Sequence, residues 1–238
     1  MESIRLRQLP FLFRLILSLF VVTLGAGYLV ALLNLYLTYA MTDGDPKLTP
    51  EDLRRAFYGN RNNTRLAAKI DGGSMEQFLT RPGDKEKILS WIQDGASKIG
   101  YEDMVRPITA EFCIRCHSPG RVSSFRPLTS YEEVLTVTQI DRGEPVGLWA
   151  RVAHTHIQSF ALIFLCLGSL FAFTSFSGRV KAFVVLLPFG AIMLDFGGRL
   201  LAHTMPAFVF AVMAGGALLG LSFAVMILVP LWEMWLKK

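Results

Sequence analysis

Charge is scarce in this chain: only 18% of its 238 residues are Asp, Glu, Lys or Arg, against 52% that are apolar, and the mean hydropathy is +0.41. Soluble domains carry about 25% charged residues, so the deficit excludes an ordinary soluble protein and points to a bilayer. Metal ligands are scarce as well, with three cysteines and four histidines. Structural zinc needs four ligands, usually a second C-x-x-C or a histidine pair at matching spacing, and neither is present. Residues 43–151 lack any excess of one sign, holding 16 acidic and 16 basic side chains, so nothing indicates nucleic acid. Between His117 and Met193 there is no methionine at all.

What is there is four long uncharged runs. Residues 15–42 contain no charge in 28 positions, where a hydrocarbon core about 30 Å thick needs about 20. Residues 152–177, 182–202 and 206–231 follow, and the only charges within the four are Asp195 and Arg199. Lys and Arg near helix ends stay cytoplasmic, whereas long polar domains cross regardless of their charge. Arg5, Arg7, Arg14, Arg179, Lys181, Lys237 and Lys238 all fall on one side of such a bundle. Both chain ends are therefore expected in the cytoplasm of a bacterial cell, with residues 43–151 outside its inner membrane. The expected division is residues 1–42 as cytoplasmic N-terminus and first membrane helix, 43–151 as an outer domain, and 152–238 as a three-helix membrane region. A cleaved signal peptide competes for the N-terminus, with Thr38 and Ala40 as a poor small-residue site. The apolar run is nearly twice the usual signal core, which favours a retained anchor.

The outer domain reads as small and all-helical. In LTPEDLRRAFYG, Thr49 suits an N-cap, Pro50 the first helical position, Glu51 and Asp52 the positive end of the dipole, and Gly59 a stop. The glycine pair in DGGSMEQFL makes a turn that presents Met75. GDKEKILSWIQDGASK places Ile88, Leu89, Trp91 and Ile92 on one helical face, with Gly95 as the stop. A third helix is expected over about 108–116 and a short one over 130–138. Asn62–Thr64 matches a glycosylation acceptor formally, in a chain where nothing else looks eukaryotic.

Cys113, Cys116 and His117 spell C-x-x-C-H, the signature of c-type haem attachment. Two thiols three residues apart bond the two vinyl groups of one porphyrin, and the histidine directly after them brings its imidazole to the iron. A redox-active C-x-x-C is the competing reading in an oxidising compartment, but it leaves the adjacent histidine to coincidence. Cys166 falls mid-membrane and is expected to be a small buried apolar residue.

On these residues the chain resembles the bacterial membrane-anchored monohaem c-type cytochromes. The likeness rests on CIRCH with its preceding helix, and loosely on LTPEDL, FYGN and PLTSYEEV, so it covers the outer domain alone. It implies periplasmic maturation, one-electron transfer and axial ligation by His117. The chain departs from the family where the second axial ligand is expected: the usual downstream methionine is missing. Met75, Met104, His154 and His156 are the candidates, with Met75 in its glycine-flanked loop as first choice and an open position as the remaining case. Axial ligation moves haem potentials over roughly 0.8 V, so the choice has consequences.

The three other histidines gather at the outer membrane face. RVAHTHIQ opens the second span there and LDFGGRLLAH closes the third. Asp195, Arg199 and His203 follow i, i+4, i+8 and form one polar stripe. Intramembrane ionisable residues normally face the bundle interior and mark a functional path. The bland reading is a mutually neutralised Asp195–Arg199 pair that pins helices together, or an Arg199 that snorkels outward. A quinol site competes with it, His154 or His156 holding a hydroxyl and Asp195 accepting its proton. A b-type haem between one of that pair and His203 is the third reading. His154 and His156 lie about 200° apart on a helix, so only one can serve a given ligand.

The expected whole is an all-α integral membrane protein with four transmembrane helices and a cytochrome c-like periplasmic domain inserted after the first. Its expected work is haem binding and one-electron transfer, linked to quinol oxidation in a respiratory chain. One haem cannot take both electrons of a quinol, which implies respiratory-chain subunits or a soluble periplasmic cytochrome as partners. A haem-based sensor, or an assembly or haem-carrying subunit of a larger membrane complex, is the alternative. Sensing calls for an output module, and few residues lie on the cytoplasmic side.

Overall fold

The structure, a computed structural model, describes residues 5–40, 42–43, 45–120 and 126–237. Among these the chain is all-helical, with one isolated antiparallel bridge between Thr64 and Ile140. It divides into two compact units, residues 1–38 with 144–238, and residues 39–143. The divisions fall a few residues from 43 and 151, because Pro145 starts the next long helix a turn and a half before the apolar run begins. The first long helix, α1 (Phe11–Tyr39), belongs to the first unit.

The inserted unit is built from short helices. In α2 (Pro50–Phe57) the Thr49 side chain accepts from the Asp52 N–H, and the Asp52 carboxylate accepts from the Thr49 N–H in return. The same buried carboxylate accepts from the Thr42 N–H at 2.7 Å and its hydroxyl at 2.6 Å. A buried acid is thus satisfied entirely by hydrogen bonds, as burial requires. Then come α3 (Arg65–Ile70) and α4 (Asp84–Gln93), the latter burying Ile88 and Trp91 and leaving Leu89 and Ile92 half-buried.

The next helix, α5, spans residues 98–113 and starts ten residues earlier than expected. Gly100 and Pro107 read as loop signals in sequence, but the helix absorbs them. Its turns alternate between α (Lys98–Gly100, Arg106–Ile108) and π (Tyr101–Val105, Thr109–Cys113). Pro107 has no N–H for the ordinary i to i−4 bond, and wider turns on either side keep the chain coiled. Helix α6 (Tyr131–Leu135) carries a capping box between Ser130 and Glu133. Trp91, Tyr101, Val105, Ile108, Leu128 and Val134 form the core of this unit.

The other unit holds α1 together with α7 (Val146–Ala172), α8 (Gly178–Ala202) and α9 (Val209–Trp235). Each of the four spans is long and apolar enough to cross a bilayer, and most side chains on them face outward, as lipid in place of water allows. The protein is a multi-pass membrane protein. The seam between α8 and α9 is closed by glycine: a Cβ on Gly215 would come within 2.6 Å of the Asp195 backbone nitrogen. Small residues at such seams let helices pack where no hydrophobic drive exists between them. Phe164 and Phe223 pack at 4.9 Å in the interior, and Tyr28 of α1 stacks on Phe223 at 4.4 Å.

The cationic ends converge as charge placement predicts. Arg14 donates to the Met234 carbonyl at 2.9 Å, Arg7 to the Lys237 carbonyl, and Lys181 to the Ala172 carbonyl at 2.8 Å; Lys238 lies outside the described residues. The last span runs past Leu231 and takes in a third membrane charge, Glu233, which is 4% exposed. Its carboxylate accepts from the Ser175 N–H at 2.9 Å, from the Ser175 hydroxyl and from Lys237 at 2.9 Å. Glu233→Ala removes the acceptor from donors that water can reach, Ser175 being exposed and Lys237 partly so, and is expected to destabilise the bundle by about 1 kcal/mol. Glu233→Gln, which keeps an acceptor, loses less. Unfolding in mixed micelles followed by circular dichroism measures both.

Candidate functional site

The C-x-x-C-H motif sits where α5 ends. Its last π turn finishes on Cys113, whose carbonyl accepts from the Cys116 N–H at 3.2 Å and the His117 N–H at 2.9 Å. This tight turn puts both cysteines and the histidine within one loop. The segment 126–128 runs alongside: the Leu128 N–H donates to the His117 carbonyl at 2.8 Å, and His117 Nδ1 lies 2.8 Å from the Arg126 carbonyl oxygen. A carbonyl can only accept, so that bond places the proton on Nδ1. The lone pair of the neutral ring is then on Nε2, the state of a metal-ligating histidine fixed by an outer partner.

Burial pushes the Cys113 thiol up to about 11. That shift is opposite in direction to the lowering that activates a redox cysteine. Among the described residues no group of three or more His, Cys, Asp or Glu, those of the motif included, converges as a metal-ion site would. The donor set fits covalent haem: two thiols at the right spacing and an imidazole held in the ligating tautomer. Cys113 and Cys116 would hold the macrocycle and His117 the iron.

Met75 belongs to the same unit and packs, with Phe112 and Cys113, against its core. The glycine turn works as expected: a Cβ on Gly73 would fall 2.3 Å from the Ala68 carbonyl oxygen, and the Met75 N–H donates to the Lys69 carbonyl at 2.9 Å. Arg81, six residues on, bonds Glu111 at 2.8 Å and lies over the Phe112 ring at 5.7 Å. The methionine loop is thereby fastened to the end of α5. Met104 is 40% exposed on the outside of that helix. If the motif carries haem and Met75 ligates it, Met75→Ala is expected to change the visible spectrum and lower the potential, since thioether ligation raises it; an unchanged spectrum in both oxidation states removes Met75 as a ligand.

In the membrane unit the polar stripe of α8 is resolved into two parts. Arg199 forms its ion pair with Glu144, just before α7, and both side chains are nearly buried. Of the two arms of the bland reading, the geometry fits an Arg199 that turns outward rather than one paired with Asp195: a carboxylate outside the apolar runs meets it toward the helix end. Asp195 lies within electrostatic reach of Arg199, His156 and Tyr28. Both histidines are exposed and bond back to their own helix, His154 at the Ala150 carbonyl, 3.2 Å away, and His156 at the Val152 carbonyl, 2.9 Å away; His156 in addition packs its ring 6.2 Å from that of Phe196. Of the two histidines, His156 is the one beside Asp195.

His203, 9% exposed, bonds its own helix at the Arg199 carbonyl. It stands seven residues past Phe196, about 10.5 Å along the axis at 1.5 Å per residue. A b-type haem between His156 and His203 would have to close that gap of two turns. Cys166, expected to be buried, is exposed instead. Tyr28, Glu144 and Glu233 were not singled out by sequence, since each looks ordinary until helix packing brings it to a charged neighbour.

The fold defines a class, a four-span membrane protein with an inserted helical unit. A family model described as a transmembrane helical domain matches residues 145–238, which cover α7 to α9 and not the C-x-x-C-H unit. No curated protein and no solved structure matches the chain.

Proposed function

We propose that the chain is a membrane-bound c-type cytochrome that carries one electron at a time at the periplasmic face of a bacterial inner membrane. The observation that supports this best is the His117 Nδ1–Arg126 carbonyl bond beside two cysteines at the attachment spacing. Bound haem would supply reversible one-electron transfer. The chain's own part would be to hold it: Cys113 and Cys116 would attach it by thioether bonds, His117 would ligate the iron through Nε2, and Met75 would be the second protein ligand.

The electron source in this reading is a quinol at the outer end of the bundle. His156 holds the quinol hydroxyl by a hydrogen bond and Asp195 accepts its proton. Arg199 makes its ion pair with Glu144 and not with that carboxylate. A quinol releases two electrons and two protons, so a periplasmic electron acceptor or a second redox subunit has to complete the reaction. The test is a pyridine haemochrome spectrum of the purified protein with its iron content. One c-type haem per chain and no b-type haem is the expected result, and haem that extracts into acidified acetone overturns it, because thioether-bound haem stays with the chain.

A further inference from the structure

The cation-rich end of the membrane unit carries a groove of about 490 Å³ that neither the haem nor the site at Asp195 uses. Leu17 and Phe20 of α1 line one side and Cys166 and Leu170 of α7 the other, with Leu9, just before α1, among the lining residues. Its volume is that of a ligand site, typically about 300–1,000 Å³. The groove exists because α1 meets the other helices through few side chains: Val21 is the only residue of that helix fully buried. An apolar cleft at this depth offers water no hydrogen-bond partners, so hydrocarbon fills it.

What selects the occupant is the mouth. Phe173, where α7 ends, and Arg5 line it, on the side where the basic residues gather. Arg7 and Arg14 at that end donate to the carbonyls of Lys237 and Met234, and Arg5 is the cation that lines the groove itself. From Phe173 to Cys166 is seven residues, about 10.5 Å of helix, so the cleft reaches inward from the surface along much of one leaflet. We propose that the groove holds one anionic phospholipid of the inner leaflet, with an acyl chain between α1 and α7 and its phosphate at Arg5. This holds or fails independently of the haem and quinol readings.

The full-length protein in nanodiscs of equal phosphatidylglycerol and phosphatidylcholine, released into native mass spectrometry, decides the matter. Expected is one retained phospholipid per chain, with phosphatidylglycerol favoured about fivefold, the preference conferred by a single cation at an anionic surface. Arg5→Gln should return the retained lipid to the bilayer ratio. Ser169→Trp, which fills the groove and spares Arg5, should abolish retention; if that variant does not fold, Arg5→Gln decides alone. Retention in the bilayer ratio by the unaltered protein overturns the proposal, as does undiminished preference in Arg5→Gln, or a retained quinone in place of phospholipid when quinone is included.

Discussion

Exchanging Cys113 and Cys116 together for serine is expected to leave a chain with no covalent haem: no haem stain on a denaturing gel and no c-type haemochrome. The effect is all or none because thioether bonds have no substitute; serine hydroxyls do not add to the vinyl groups. The single variants are expected to separate the two sulfurs. Cys116 is exposed at the turn and Cys113 half-buried at the helix end, so Cys116→Ser retains a haem held by one bond with a shifted haemochrome band. Cys113→Ser also removes a side chain packed on the core of the inserted unit and is expected to lower haem yield further. A different outcome, a fully folded double variant with the unaltered protein's haem content, would show that the motif does not attach the group. The apo chain's helical content, measured alongside, separates loss of haem from loss of fold, since the core of Trp91, Tyr101 and Val134 contains neither cysteine.

Much of this architecture is legible in the sequence because each signal is local. Four uncharged runs become α1, α7, α8 and α9 since backbone in lipid has to satisfy itself, and the side on which cations gather follows from their spacing to those runs. Thr49, Ser130 and the stop glycines act within four residues of their own helix ends. The helix over residues 98–113 was less legible. Gly100 and Pro107 are local signals against a helix, and packing of Tyr101, Val105 and Ile108 into the core outweighs them.

The site divides along the same line. C-x-x-C-H is contiguous and can be read directly, yet the Arg126 carbonyl that fixes the His117 tautomer is a backbone atom nine residues away and has no side-chain signature. The Glu144–Arg199 pair joins residues 55 apart in sequence, so the i, i+4 spacing of Asp195 and Arg199 could not by itself separate a paired Arg199 from one that turns outward. Cys166 was misplaced for a related reason. An apolar run says that a residue is in the membrane but not whether it faces protein or lipid, since both are equally apolar.

Asp195→Asn is expected to slow reduction of the haem by a water-soluble quinol by about 10²- to 10⁴-fold, the range that a positioned proton acceptor contributes. Asparagine has the same shape and can still hydrogen-bond, but it cannot take a proton at the pH of the assay. The α8–α9 seam rests on the Asp195 backbone against Gly215, which the substitution leaves alone. Stability is therefore expected to hold or rise, because an ionisable group within a membrane helix carries a cost that its neutral isostere avoids. Rate and stability moving in opposite directions is what a proton acceptor predicts; a carboxylate that merely pins helices predicts that both fall. His156→Ala is the companion variant, since His156 packs on Phe196 beside Asp195, and its loss should raise the quinol KM more than it lowers kcat. His154→Ala, facing away from that cluster, should change neither. Haem reduction by dithionite at the unaltered rate in all three variants places the defect at the quinol step. A rate for Asp195→Asn equal to that of the unaltered protein removes the carboxylate from the chemistry and returns it to helix packing.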